Sequence, residues 1–146
     1  MSASRSGRPA AGCAFCGIAA GEAGRDLVVF RSGRVVGFVA HEPAAFGHTV
    51  LAPTGHYADL FDAPGDVVAD LVSAAQTVAW HYREAVGAEG VNLLHASGRA
   101  AQQSVPHLHV HLLPRFEGDG LDAWPELGDP DASAAEMAAR LRLPGV

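Results

Sequence analysis

The sequence predicts an α+β domain: a mainly antiparallel sheet covered by one long helix. Three observations carry this prediction. Short β-branched segments lie early in the chain and again after its middle, a single long stretch between them keeps helical spacing, and neither a repeat nor a linker divides the 146 residues. Strands, then one long helix, then strands is the α+β order, not the regular alternation that builds a parallel sheet.

The elements follow in sequence. Leu27–Arg31 and Val35–Ala40 flank the turn residues Ser32 and Gly33 and read as a hairpin. Thr49–Ala52 is a third short strand, closed by Pro53. Asp62 stands where it can cap a helix whose first turn tolerates Pro64. Val67, Val68, Leu71, Val72, Ala75, Val78, Ala79, Tyr82 and Val86 then recur at helical spacing, with Asp66, Asp70, Ser73 and Arg83 on other faces. Gly87 and Gly90 end the helix. Val91–Ala96 and Pro106–Pro114 read as two further strands, and a short helix is expected near Ser133–Leu141. Residues 1–12 are expected to be a flexible, weakly basic arm, 13–115 the folded domain, and 116–146 an acidic extension. From Phe116 to Ala139 there are seven acids and no base.

Composition narrows the function classes. At 49% apolar residues the chain is not a disordered tail, and no apolar run is long and clean enough to span a bilayer. The first residues lack the apolar core of a secretion signal, so a cytoplasmic protein is expected. The net charge of −6 argues against nucleic acid as a partner, since a basic face is required to neutralise phosphates. It leaves room for one small anionic ligand held by local donors. The only cysteines are Cys13 and Cys16. At that spacing in a reducing compartment, they read as half of a metal site or as a redox pair before a structural disulfide.

The segment from Ser104 to Arg115 carries most of the chemistry. If it is a strand, His107, His109 and His111 share one face while Leu108, Val110 and Leu112 enter the core from the other. Three imidazoles in a row are a poor packing solution, because each needs a polar partner when buried. Two chemistries use such a row: a metal site, or a nucleophilic histidine whose neighbours orient it and set its tautomer.

The ordered set of motifs resembles the histidine triad (HIT) family, in the bacterial branch with a Cys-x-x-Cys metal site. The resemblance is carried by His107-Leu-His-Val-His-Leu-Leu113, by Gln103-Ser-Val105 before it, by Gly47-His-Thr-Val-Leu-Ala-Pro53 with His56 beyond, by Cys13-Ala-Phe-Cys16, and by Trp124-Pro125. It implies a HIT-like fold with a short N-terminal helix, and a nucleotide-binding hydrolase or transferase acting at the α-phosphorus of a nucleoside phosphoramidate or dinucleoside polyphosphate. His109 would be the nucleophile, forming a covalent nucleotidyl-histidine that water resolves. His111 would contact phosphate oxygens, His48 would help assemble the pocket, and Ser104 would bond near the leaving group. Gln103, Ser97, Gly98 and Phe38 would line the substrate. A structural zinc would sit on Cys13, Cys16, His56 and His107, with no catalytic metal, and the protein would be a homodimer. The rival readings are a non-catalytic nucleotide-binding module, a phosphorolytic transferase, and a metalloenzyme holding one metal on the three histidines.

Two positions depart from the family pattern. Ala40 stands where an aspartate commonly grips the ribose, with Glu42 two residues on, and Ala96 stands where an asparagine is common, with His95 and Ser97 as candidate substitutes. Arg115 is expected in a salt bridge, and His41 and His81 as ordinary surface histidines.

Overall fold

The computed structural model describes residues 7–124 and 128–146. Five strands, β1 (Val28–Ser32), β2 (Val35–Val39), β3 (Thr49–Pro53), β4 (Gly90–Leu94) and β5 (Val110–Arg115), form one sheet in the order β1-β2-β3-β5-β4. Every neighbouring pair is antiparallel. The helices are α1 (Ala14–Ala19), α2 (Gly65–Val86) and α3 (Ala134–Leu141).

The sheet has two apolar faces, each packed against a different part of the chain. On one face Val35, Leu51, Leu108, Val110 and Leu112 meet Leu71, Ala74, Ala75 and Val78 of α2. On the other, Val36, Phe38, Val50 and Ala52 meet Phe15 and Ile18 of α1. The alternation read from the sequence therefore holds around β5: Leu108, Val110 and Leu112 lie on the α2 face.

Boundaries differ from expectation in instructive ways. Asp62 does not cap α2. Its carboxylate accepts from the Ala58 N–H, and Pro64 is the cap residue with no side-chain bond. The helix is held by packing: burying one large apolar side chain is worth roughly 1.5–3 kcal/mol, more than the roughly 1 kcal/mol of a good cap. Gly87 closes α2 in the left-handed conformation, while Gly90 opens β4. Val72 and Val86, expected on the core face, are exposed, and Ala74 is buried instead.

The segment read as a strand from Pro106 enters the ladder only at Val110. Pro106 has no N–H to donate, and the Leu108 N–H goes to the Tyr57 carbonyl rather than to a neighbouring strand. At the other end of the chain, Gly7, within the expected arm, makes an isolated bridge to His56. No helix among the described residues is long and apolar enough to cross a membrane.

Candidate active site and metal centre

Strand pairing puts Val50 opposite His111, so the histidine row shares the face of Val50 and Phe38, under α1. His48 sits just before β3. Gly47, immediately ahead of it, is left-handed (φ +79°), and a Cβ there would come within 2.7 Å of Pro114 Cγ, so the approach to His48 requires glycine.

Hydrogen-bond accounting sets the proton positions. The Ala44 N–H donates to His48 Nδ1 at 3.0 Å. Neutral His48 therefore carries its hydrogen on Nε2 and donates it to His111 Nδ1 at 2.8 Å. That leaves His111 Nε2 as an N–H donor. His109 Nδ1 donates to the main-chain oxygen of His107 at 2.7 Å, so its Nε2 holds a free lone pair. The His109 and His111 rings lie 4.9 Å apart. Burial is the main cause holding these rings neutral. It lowers His48 and His109, and with the neighbouring histidines it pushes His111 down to about 4. One ring thus offers a nucleophile and the next a hydrogen-bond donor, side by side.

Phe15 closes this cluster from above. Its ring meets Phe38 and His109 edge-on, both at 5.1 Å, and His107 at 5.8 Å. The sequence pattern did not single it out; the signal was its place between the two cysteines.

Cys13, Cys16, His56 and His107 form a second cluster, with all four ligand atoms within 4.8 Å of one another. His107 Nδ1 lies 3.4 Å from Cys13 Sγ and 3.6 Å from Cys16 Sγ, and His56 Nδ1 lies 3.4 Å from Cys16 Sγ. A tetrahedral zinc with bonds of about 2.3 Å to sulfur and about 2.0 Å to nitrogen needs sulfur–nitrogen edges of about 3.5 Å, so the donor set fits. His107 Nε2 donates to the Pro53 carbonyl at 2.9 Å, which turns the Nδ1 lone pair toward the thiols. Burial pushes the Cys16 thiol up, the opposite of what a bound cation does to a thiol. His107 thus turns away from His109 and His111 and joins the cysteines.

The loop after β4 carries the remaining candidates. Gln103 Nε2 donates to the carbonyls of Ala58 and Val105, and its Oε1 accepts from the Gly98 N–H. Its amide is therefore spent on shaping the loop. Gln102, the non-glycine residue with positive φ among those described, stores strain of about 1 kcal/mol or more there. Ser97 Oγ accepts from the Leu60 N–H, and Ser104 is exposed. Ala40 packs on the histidine face, while Glu42 is exposed. Arg115 pairs with Asp119 at 2.8 Å, as expected, and His41 and His81 are exposed. Trp124 is exposed, and its expected companion Pro125 lies outside the described residues.

The HIT domain profile matches residues 23–118. The chain belongs to the HIT family. An uncharacterised HIT-like protein of Mycobacterium tuberculosis (strain H37Rv) is 35% identical over 90% of this chain and 92% of its own. An adenosine 5'-monophosphoramidase of Saccharomyces cerevisiae is 32% identical over 79% of this chain and 71% of its own. Among solved structures, a Streptococcus mutans protein superposes with a TM-score of 0.79 at 29% identity, covering 92% of this chain and 85% of that one. A zinc-bound histidine triad protein of Mycobacterium smegmatis superposes with a TM-score of 0.72 at 34% identity, covering 89% of each chain. The α+β arrangement of five antiparallel strands with one long and one short N-terminal helix is thus the HIT-like fold.

Proposed function

We propose that this HIT protein is a nucleotide hydrolase or nucleotidyl transferase working at the α-phosphorus of a nucleoside phosphoramidate or dinucleoside polyphosphate. The observation that carries the reading is the His109 tautomer: Nδ1–H is bound to the His107 carbonyl, and Nε2 is left with its lone pair beside the His111 N–H donor. In the first step His109 Nε2 attacks phosphorus, a P–N bond forms, and the bond to the leaving group breaks. The leaving group departs with the electron pair of that bond and takes up a proton from solvent. In the second step water attacks the same phosphorus and gives up one proton to solvent, the P–N bond breaks with its electron pair returning to Nε2, and the nucleoside monophosphate leaves as the neutral imidazole is restored. Dividing one displacement into two lowers each barrier. His111 Nε2–H stabilises charge on the phosphoryl oxygens. Ser104 and Gly98 complete the substrate surface, Gln103 shapes the loop behind them, and His48 sets the His111 tautomer. Phe38 and Ser97, expected on that surface, are engaged elsewhere: Phe38 is buried beneath Phe15, and the Ser97 hydroxyl is bonded to Leu60 and His95. The phosphoramidase relative in yeast supports this substrate class.

Zinc is the metal proposed for Cys13, Cys16, His56 and His107. It supplies a structural tie between the N-terminal segment and the sheet, and leaves His109 to the chemistry. The donor set and the zinc-bound relative support it. We also propose a cytoplasmic homodimer. β4 is an uncovered sheet edge carrying exposed Val91 and Leu93, and a hollow beside it is lined by Gln76, Trp80, Arg83 and Val91.

The experiment is incubation with nucleoside phosphoramidates and dinucleoside polyphosphates, followed by intact-protein mass measurement. A nucleotidyl adduct on the parent protein that is absent in His109→Ala is the expected result. Undiminished turnover by His109→Ala would reject the mechanism.

A further inference from the structure

We propose that His95 is a positioning residue for the nucleophile, acting with Ser97 as a strut that holds the main chain of His109. The kinetic part of this inference rests on His109 being the nucleophile.

The β4–β5 ladder ends at the pair Leu94 and His111. The His109 carbonyl lies two residues beyond that pair, where β4 has already left the sheet. Its partner is a side chain: His95 Nδ1 lies 2.8 Å from the His109 oxygen. A carbonyl can only accept, so His95 carries its hydrogen on Nδ1. His95 Nε2 lies 2.6 Å from Ser97 Oγ. Ser97 Oγ already accepts from the Leu60 N–H at 2.9 Å, which leaves its own hydroxyl hydrogen for His95 Nε2. The chain of donors is therefore closed: Leu60 main chain to Ser97, Ser97 to His95, His95 to His109.

This chain clamps the nucleophile at its backbone. The His109 ring is already held at Nδ1 by the His107 carbonyl, so ring and carbonyl are fixed from opposite ends of one residue. Releasing the carbonyl lets the peptide after His109 tilt, and Nε2 moves with it. A misplacement of about 1 Å at a reacting atom costs about a hundredfold in rate. His95 and its neighbour Ser97 also lie at the point where the loop toward Gln103 begins, so the strut ties that loop to the nucleophile.

Side-chain geometry supplies a discriminating pair of variants. Asparagine places its amide nitrogen near the position of His Nδ1, so His95→Asn keeps the donor to the His109 carbonyl and loses the link to Ser97. Glutamine reaches toward Ser97 instead. The first readout is the carbonyl carbon chemical shift of His109 in labelled protein, which needs no turnover. It is expected to move in His95→Ala and His95→Gln and to stay close to the parent value in His95→Asn. The second readout is the kinetics with a nucleoside phosphoramidate. His95→Ala is expected to lose tenfold to a hundredfold in kcat with KM within about twofold, and His95→Asn to recover most of the loss. An unmoved carbonyl shift in His95→Ala overturns the strut whether or not the protein turns anything over. A moved shift with unchanged kcat, in a protein whose His109→Ala variant is inactive, overturns the positioning role. If His109→Ala stays active, the nucleophile assignment is what fails, and the carbonyl shift still decides the strut.

Discussion

His48 Nε2 and His111 Nδ1 are 2.8 Å apart, and this one contact decides which nitrogen of each ring carries a hydrogen. The Ala44 N–H at His48 Nδ1 starts the chain, and His111 Nε2–H ends it at the place where phosphoryl oxygens are expected. His48→Ala is therefore expected to free the His111 tautomer and lower kcat about tenfold, the value of one hydrogen bond of roughly 1.4 kcal/mol. Steady-state kinetics on the variant test this. Parent-level kcat would remove the relay from the mechanism.

The neutral histidines set a pH dependence. His111 titrates at about 4 in the fold and near 6.5 when exposed, burial being the main cause. The unfolded chain takes up its proton first as pH falls, so this contribution to stability is complete above pH 6.5 and is lost progressively down to about pH 4. Melting temperatures measured across that range should fall less steeply for His111→Asn than for the parent. The comparison between the two proteins isolates His111 from any metal lost in the same range. Equal slopes would show that His111 does not contribute.

Removal of the metal ligands is the third test. A Cys13→Ser, Cys16→Ser protein should lose its zinc and a stability on the order of several kcal/mol. Because Phe15 lies between these cysteines and packs on both His107 and His109, adduct formation should slow as well. Stoichiometric zinc in the double variant would reject the ligand set.

Ala40 packs on the same face as the histidine row, where its methyl group cannot accept a hydrogen bond. Charged acceptors are worth roughly 1.5–3 kcal/mol to a hydroxyl, so the parent protein should distinguish poorly between a ribonucleotide and its 2′-deoxy counterpart. Ala40→Asp should tighten ribonucleotide binding and leave the deoxy ligand nearly unchanged. Four dissociation constants settle the matter, and a strong ribose preference in the parent would point to another acceptor, with Glu42 the first to replace.

The exposed edge of β4 gives the last prediction. Val91 and Leu93 are each more than 40% exposed on an edge strand that pairs only with β5 among the described residues, an arrangement that favours pairing with another chain. Val91→Lys with Leu93→Lys should convert a dimer into a monomer in sedimentation analysis. A dimer that persists unchanged would place the contact elsewhere.

Much of this protein was legible in its sequence because its signals are local. Period-two alternation puts Leu108, Val110 and Leu112 opposite the histidines, and it survives where the ladder itself stops short of His107. Helical spacing located α2, and the order of the Cys, Gly-His-Thr and histidine motifs pointed to the family. The misses are non-local. Asp62 has the chemistry of a cap, but the Ala58 N–H claimed its carboxylate first. Val72 has the hydropathy of a core residue, but the single sheet beneath α2 covers only one stripe of the helix.

What the sequence by itself determined is the set of groups available: three imidazoles on one side of a strand, two thiols three residues apart, and a core patterned to hold them. What only the tertiary structure decided is how those groups divide. His107 turns to the cysteines because the Pro53 carbonyl takes its Nε2 hydrogen, and His109 keeps a free lone pair because the His107 carbonyl takes the hydrogen on its Nδ1. Phe15 and His95 reach His109 from far along the chain, and their roles arise from contact and donor geometry. A tautomer depends on which acceptor lies within 3 Å, and that acceptor is set by packing between segments that residue spacing does not relate.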